Sequence, residues 1–179
     1  ANLAEYISGL KIRSVAADLS TFVKGRKLDD DGNCLLRFSK GAKGLLHASQ
    51  VSIGQENNLA IAVHGEAGSL AWKQEHPNWL EVDRLGAPTE IWKRGNDYVA
   101  EKSPAAGRAT RLPFGHPEAF LEAFANNYCN FADTVKAKQE RRKASELERD
   151  CPGIACGVRG MQFIEAVVES SRQGAAWVP

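Results

Sequence analysis

The sequence predicts an α+β fold: an open-faced, predominantly antiparallel sheet with helices packed on one face and the other face used for oligomerisation. Three observations predict it. Segments of alternating hydrophobicity occupy the first half of the chain, among them "CLLRFS", "NLAIAVHG" and "WLEVDRL". Two long segments of helical period occupy the second half. The two kinds of element are segregated, and successive strands are joined by short turns, which favours antiparallel pairing.

The elements follow in order. "NLAEYISGL" reads as the end of a helix, with Leu3, Tyr6 and Ile7 on one face and Gly9 as its C-cap. A helix end without a helix start suggests a chain cut from something longer; an ordinary short N-terminal turn is the other reading. "KIRSVAADLSTFV" then puts Ile12, and after it Val15, Ala17 and Leu19, at near-strand spacing. "LDDDGN" is a turn cluster of residues that bond their own backbone. "CLLRFS" and "LLHASQVSI" form a hairpin across "KGAKG". "NLAIAVHG" pairs with "GSLAWKQ", and "WLEVDRL" pairs with "TEIWKR" across "GAP". Residues 95–115 have little periodicity and read as a long loop.

The first long helix carries Phe120, Phe124, Tyr128, Phe131 and Val135 as an apolar stripe, widened by Leu121, Ala125 and Ala132. Glu118, Glu122, Asn126 and Asp133 fall on its polar side, and Pro117 fits the first helical position. The run "KAKQERRKASELERD" mixes both signs without aromatics and reads as a solvated helix tail. The second helix, near Val158 to Arg172, is expected to bury Met161, Ile164, Val167 and Val168. Gly174 closes it, and "AAWVP" returns as a short edge strand.

The strands carry a second message. In "LLHASQV", Leu45, His47, Ser49 and Val51 face one way, and Leu46, Ala48 and Gln50 the other. Neither face is plainly charged, whereas a wet antiparallel face should alternate more cleanly. Two helices cover one face, so the other is expected against a second copy, as a dimer or tetramer.

Composition sets outer bounds. The 179 residues suit one domain over the whole chain, with 43% hydrophobic and 25% charged residues. A net charge of +1 gives no reason to expect nucleic acid or an anionic membrane surface. No apolar run approaches the ~20 residues of a membrane helix, and "ANLAEYISGL" lacks the features of a secretory leader. Cys34, Cys129, Cys151 and Cys156 have no zinc-ligand spacing, and Cys34 and Cys129 fall at apolar positions. A reducing cytoplasm is the expected setting.

Motifs of chemistry are sparse. There is no GxGxxG after a strand, P-loop, HExxH or GxSxG. "GEAGSL" lies between strands and reads as a hairpin turn. Asp29 to Asp31 lack the spaced ligands of a calcium loop and read as a turn. His76 precedes a proline in a turn, while His47 and His64 lie on strands, where a structural role is the default. His116 sits at a helix start after the long loop, where free N–H groups and the helix dipole favour polar or anionic ligands. Two readings stay open: His116 only starts the helix, or it faces a ligand.

Several stretches together closely resemble the C-terminal domain of the Gfo/Idh/MocA oxidoreductases, the family of glucose–fructose oxidoreductase and inositol dehydrogenase. They are "LAEYISGLKI", "ADLSTFVKGRKLDDDGNCLLRFSKGAKGLLHASQV", "ENNLAIAVHGEAGSLAW", "GHPEAFLEAFANNYCNFADTV" and "GVRGMQFIEAVVESSRQGAAWV". The resemblance implies an N-terminal Rossmann domain that binds NAD or NADP, absent from this chain. It implies an EKP-type lysine and an Asp-x-x-x-His pattern as the catalytic groups, both upstream of Ala1, so no catalytic residue is expected within these residues. It implies an NAD(P)-dependent dehydrogenase of sugars, polyols or inositol-like compounds, with no nicotinamide bound by this part alone. His116 matches the histidine of the family's "GHPE" stretch, which moves the balance toward a substrate-facing role; Asn2 is a second candidate. The chain departs from its relatives before the last helix, where Cys156 stands in place of a capping aspartate. A thiol caps poorly, so either the helix starts earlier, near Gly153 and Ile154, or this end is looser. The rival expectation is a stand-alone, non-catalytic binding or assembly domain of the same fold.

Overall fold

The computed structural model describes residues 1–179. In chain order the elements are α1 (Asn2–Ser8), β1 (Ile12–Ser20), β2 (Asp31–Phe38), β3 (Lys43–Ser49), β4 (Ala60–His64), β5 (Gly68–Lys73) and β6 (Trp79–Arg84). They continue with β7 (Glu90–Lys93), α2 (Asp97–Lys102), α3 (Pro104–Ala109), α4 (Phe120–Gln139) and α5 (Ile154–Arg172). They form two compact units, Ala1–Glu56 with Pro152–Pro179, and Asn57–Cys151.

The first unit is an antiparallel sheet of order β1-β2-β3 with α5 packed on β1. Cross-strand partners share a face, so Val15 with Leu36 and Ala17 with Cys34 form one apolar surface. Ile12 joins that surface although it is three residues before Val15, because the register shifts by one between Ile12 and Ser14. This bulge explains the imperfect alternation of the first strand. Val167 closes the core, with Phe163 and Ala166 packed beside it. Burying a side chain such as Val15 contributes about 2 kcal/mol.

The line of α5 against the sheet differs from the expected one. Phe163, Ala166, Val167 and Ser170 form the covered face, while Met161 and Ile164 are exposed. The small side chains of Ala17 and Cys34 let the helix settle on one narrow line, and a single helix cannot bury a wide stripe on three strands. Ser170 is fully buried. Its hydroxyl accepts the Ala17 N–H at 2.8 Å and donates to the Ala176 carbonyl at 2.6 Å. The expected C-terminal strand is one bridge, in which Val15 and Val178 exchange bonds of 2.8 and 2.9 Å. α5 starts at Ile154 after Gly153, earlier than Val158, so Cys156 lies inside its first turn.

α1 ends as expected. Gly9 has φ 67° and donates to the Glu5 carbonyl at 3.0 Å, a conformation that glycine adopts without a Cβ penalty. The buried residue of this helix is Glu5, not one of its apolar residues. Its carboxylate receives the Ile12 N–H at 2.8 Å, Lys11 Nζ at 3.0 Å and Arg159 Nη2 at 2.8 Å. Asp30, in the "DDD" turn, is buried and accepts from the Phe22 and Val23 amides at 2.8 and 3.0 Å. These bonds, the Phe22 amide foremost, hold its carboxyl below the ordinary range.

The second unit contains the four-stranded meander β4-β5-β6-β7, paired antiparallel throughout. Its register gathers Ile61, Val63, Leu70, Trp72, Leu80, Val82 and Trp92 on one face. The strands thus form two sheets rather than one. The break falls at residues 50–59, which belong to no strand and in which Gly54 and Glu56 take positive φ. After β7, the expected long loop contains α2 and α3. Ser103 caps α3 by accepting the Ala106 amide at 3.3 Å, with Pro104 in its first turn. Alanines supply helix propensity there that an amphipathic pattern does not reveal.

α4 begins at Phe120, so Pro117 is not its first residue. The start is set by Glu122, whose carboxylate accepts the Ala119 N–H at 2.9 Å. That bond leads the causes that lower the Glu122 pKa. The aromatic stripe of α4 is exposed, including Phe120, Phe124, Tyr128 and Phe131. Cys129 is exposed as well and receives a bond from Arg111 Nη2 at 3.0 Å. Its turn of the helix faces α3 and the arginines there, so the expectation of a buried thiol fails at this position and holds at Cys34.

Candidate functional site around His116

His116 is exposed and lies in the segment that joins α3 to α4. Gly115 before it has φ 81°, and Pro117 follows. The His116 N–H donates to the Pro113 carbonyl at 3.3 Å, and its Nδ1 lies 3.4 Å from the Phe114 carbonyl oxygen. The local turn therefore comes from glycine and proline chemistry, as the sequence suggests.

The segment is held from below by groups far away in sequence. Arg94, in the turn after β7, donates from Nε to Asn78 Oδ1 at 2.7 Å and from Nη1 to the Leu112 carbonyl at 2.8 Å. Its Nη1 also meets Glu118 Oε2, and its Nη2 meets the His116 carbonyl, both in short contacts. Glu118 is buried and uses Oε1 to accept the Arg111 and Leu112 amides at 2.7 and 3.1 Å. Asn78 Oδ1 accepts the Glu118 N–H at 2.9 Å. The backbone groups on both sides of His116 thus have fixed partners. Glu118 was expected on the solvated side of the helix. It instead lies before the helix and turns inward, because Arg94 and two amides supply what water would otherwise supply.

Asn2 opens α1 in the first unit, and its Nδ2 donates to the Cys156 carbonyl at 3.2 Å. That bond ties α1 to the first turn of α5. His116 and Asn2 belong to different compact units, and each is placed within its own.

A hollow of about 310 Å³ lies beside α3 and α4, lined by Arg108, Arg111, Asn126, Cys129, Asn130 and Asp133 among others. Its polar groups bond one another: Arg108 to Asn130 and Asp133, and Arg111 to Asn126 and Cys129. This is a satisfied polar seam, and His116 is not among its lining residues.

Arg94 and Asn78 carry no signal that the sequence reading used, and Glu118 reads there only as a solvated helix residue. The signal that could have found Arg94 is a charged residue just before a glycine at a strand end, followed by a segment carrying the candidate histidine. No single-sequence pattern links it to Glu118, which is 24 residues away.

Comparison with known proteins decides the family. The description GFO/IDH/MocA C-terminal domain matches residues 1–71. The chain is 31% identical to the uncharacterized oxidoreductase YfiI of Bacillus subtilis (strain 168), over 94% of this chain and 42% of that protein. An oxidoreductase structure from Sinorhizobium meliloti superposes with a TM-score of 0.91 at 42% identity, covering 99% of this chain and 49% of that one.

The chain belongs to the GFO/IDH/MocA family.

A further GFO/IDH/MocA neighbour is an inositol dehydrogenase homolog from Azotobacter vinelandii, solved in complex with NADH and myo-inositol. It has a TM-score of 0.86 and 32% identity, and the match covers 98% of this chain and 46% of that one. The chain spans about half the length of these relatives. No helix of this GFO/IDH/MocA chain is long and apolar enough to cross a membrane.

Proposed function

We propose that residues 1–179 form the C-terminal substrate and assembly domain of a cytoplasmic NAD(P)-dependent dehydrogenase of a sugar, polyol or inositol-like compound. The observation that carries the proposal is the placement of His116. An exposed imidazole stands on a backbone whose carbonyls and amides are gripped by a half-buried guanidinium and a buried carboxylate. Neutral imidazole has one donor and one acceptor nitrogen, which complements a hydroxyl group that can act in either sense. Asn2, with amide donors and a carbonyl acceptor, is the second group assigned to hydroxyl recognition. The family membership and the inositol dehydrogenase homolog supply the substrate class.

These residues do not fit a nicotinamide site. The strand pairs are antiparallel, so the parallel βαβ crossover whose helix N-terminus receives a pyrophosphate is not built here. We assign NAD or NADP to a Rossmann domain outside residues 1–179.

Assembly is assigned to the open sheet face. The register of β2 and β3 puts Leu35 opposite Leu45, on the face away from Cys34 and Leu36, and both leucines are exposed. Large apolar groups on a sheet face favour a second copy, as a dimer or tetramer.

The test is His116→Ala in the full-length protein, assayed with myo-inositol and NAD+. Loss of one substrate hydrogen bond of ~2 kcal/mol lowers kcat/KM about thirtyfold. Sedimentation should return the oligomer of the parent protein. Unchanged kcat/KM would remove His116 from the substrate site. A full-length protein without turnover on any polyol would favour the assembly-module reading.

A further inference from the structure

We propose that Arg94 and Gly95 are positioning residues that set where His116 presents its ring. The proposal rests on the reading of His116 as substrate-facing. Two independent features of the turn after β7 converge on the same segment.

The first is the division of the Arg94 guanidinium among its partners. Nε goes to Asn78, Nη1 to the Leu112 carbonyl and Glu118, and Nη2 to the His116 carbonyl, with the Pro113 carbonyl at 3.4 Å. One rigid plane therefore fixes backbone on both sides of His116. Lysine has a single point-like ammonium and cannot reproduce this fork. The pair is withdrawn from water, with side-chain exposures of 17% for Arg94 and 5% for Glu118. An ion pair so placed adds little stability over an apolar replacement, and fixing geometry is its better-attested use.

The second feature is Gly95. Its φ is 84°, and a Cβ there would lie 2.9 Å from the Phe114 nitrogen and 3.0 Å from the Phe114 Cα. Only glycine lets the end of the strand approach the backbone two residues before His116. The same corner thus grips the segment by side chain and touches it by main chain.

The experiment compares Arg94→Lys, His116→Ala and the double variant in the full-length protein, with myo-inositol and NAD+ as the probe. Arg94→Lys is expected to lower kcat/KM roughly tenfold by displacing the ring. The double variant should be no worse than His116→Ala, since the position of a missing ring has no effect. The imidazole resonances of His116 should shift in Arg94→Lys. Should that variant fail to fold, Glu118→Gln, which keeps an acceptor for the Arg111 and Leu112 amides, is read in the same way. Losses that multiply in the double variant, or His116 resonances identical to those of the parent, would overturn the proposal. If His116→Ala leaves kcat/KM unchanged, it is the substrate-site reading that fails, and the resonances alone then decide the positioning role.

Discussion

Gly68→Ala is expected to destabilise the four-stranded sheet by about 3 kcal/mol, the upper end for forcing extra volume into a packed site. Gly68 opens β5 opposite Arg84, and a Cβ would fall 2.1 Å from the Asp83 carbonyl oxygen and 3.2 Å from the Arg84 Cα. Both obstacles are main chain, so no rotamer change relieves the clash. Movement would also break the Gly65 N–H bond to the Gly68 carbonyl, which closes the hairpin at 2.8 Å. For a chain of this length the loss corresponds to a fall in Tm of roughly 6–12 °C. Gly157→Ala is the control. Gly157 lies in α5 with no atom within 4 Å of its added Cβ, so alanine there should stabilise by about 0.5–1 kcal/mol. A thermal melt of each variant checks both signs, and equal melts for Gly68→Ala and the parent would refute the packing argument.

Glu5→Gln is the second large effect, and it carries a pH signature. Burial by itself would raise the Glu5 pKa. Bonds from Arg159, the Ile12 amide and Lys11 outweigh burial and lower it from 4.5 to about 2. With the folded pKa below the unfolded one, the unfolded chain binds more protons between these values. The contribution of Glu5 to stability is therefore complete above pH 4.5 and is lost as pH falls toward 2. Glutamine keeps an acceptor for Ile12 but loses the charge that Arg159 and Lys11 address. A loss of about 2 kcal/mol is expected at neutral pH, toward the lower part of the range for charged hydrogen bonds because Lys11 is solvated. Urea titrations at several pH values test this: the gap between parent and variant should close through the acid window. A gap that is absent at neutral pH, or unchanged at pH 2, would show that Glu5 is not held as a carboxylate.

Much of the local architecture was legible in the sequence. The hairpins β2–β3, β4–β5 and β6–β7 followed from alternation and turn residues, and Gly9 from its position behind a short helix. The errors share a cause. Met161 and Ile164 were expected inside because a helical stripe shows which residues could be covered, not how wide the covering surface is. α2 and α3 read as loop in the sequence because each has only six residues, too few to show an apolar stripe, and α3 relies on alanines and a serine cap instead. Glu118 was assigned to solvent because a carboxylate carries no mark in the sequence of the arginine that will meet it.

The resemblance to one family made His116 the first candidate for a substrate contact, while the residues alone left two readings open. The structure explains its setting but through groups that no periodicity joins. Arg94 reaches Glu118 across 24 residues, and Arg159 reaches Glu5 across 154.

The fold class, three of the hairpins and the two long helices could be read from the sequence, because these depend on contacts and dihedral preferences within a few residues. Which side of α5 is covered, why Ser170 is buried and what anchors the segment bearing His116 were settled by packing across the chain. Those outcomes depend on burial and on hydrogen-bond partners brought together across the chain. A buried polar group is tolerated only where such partners are present.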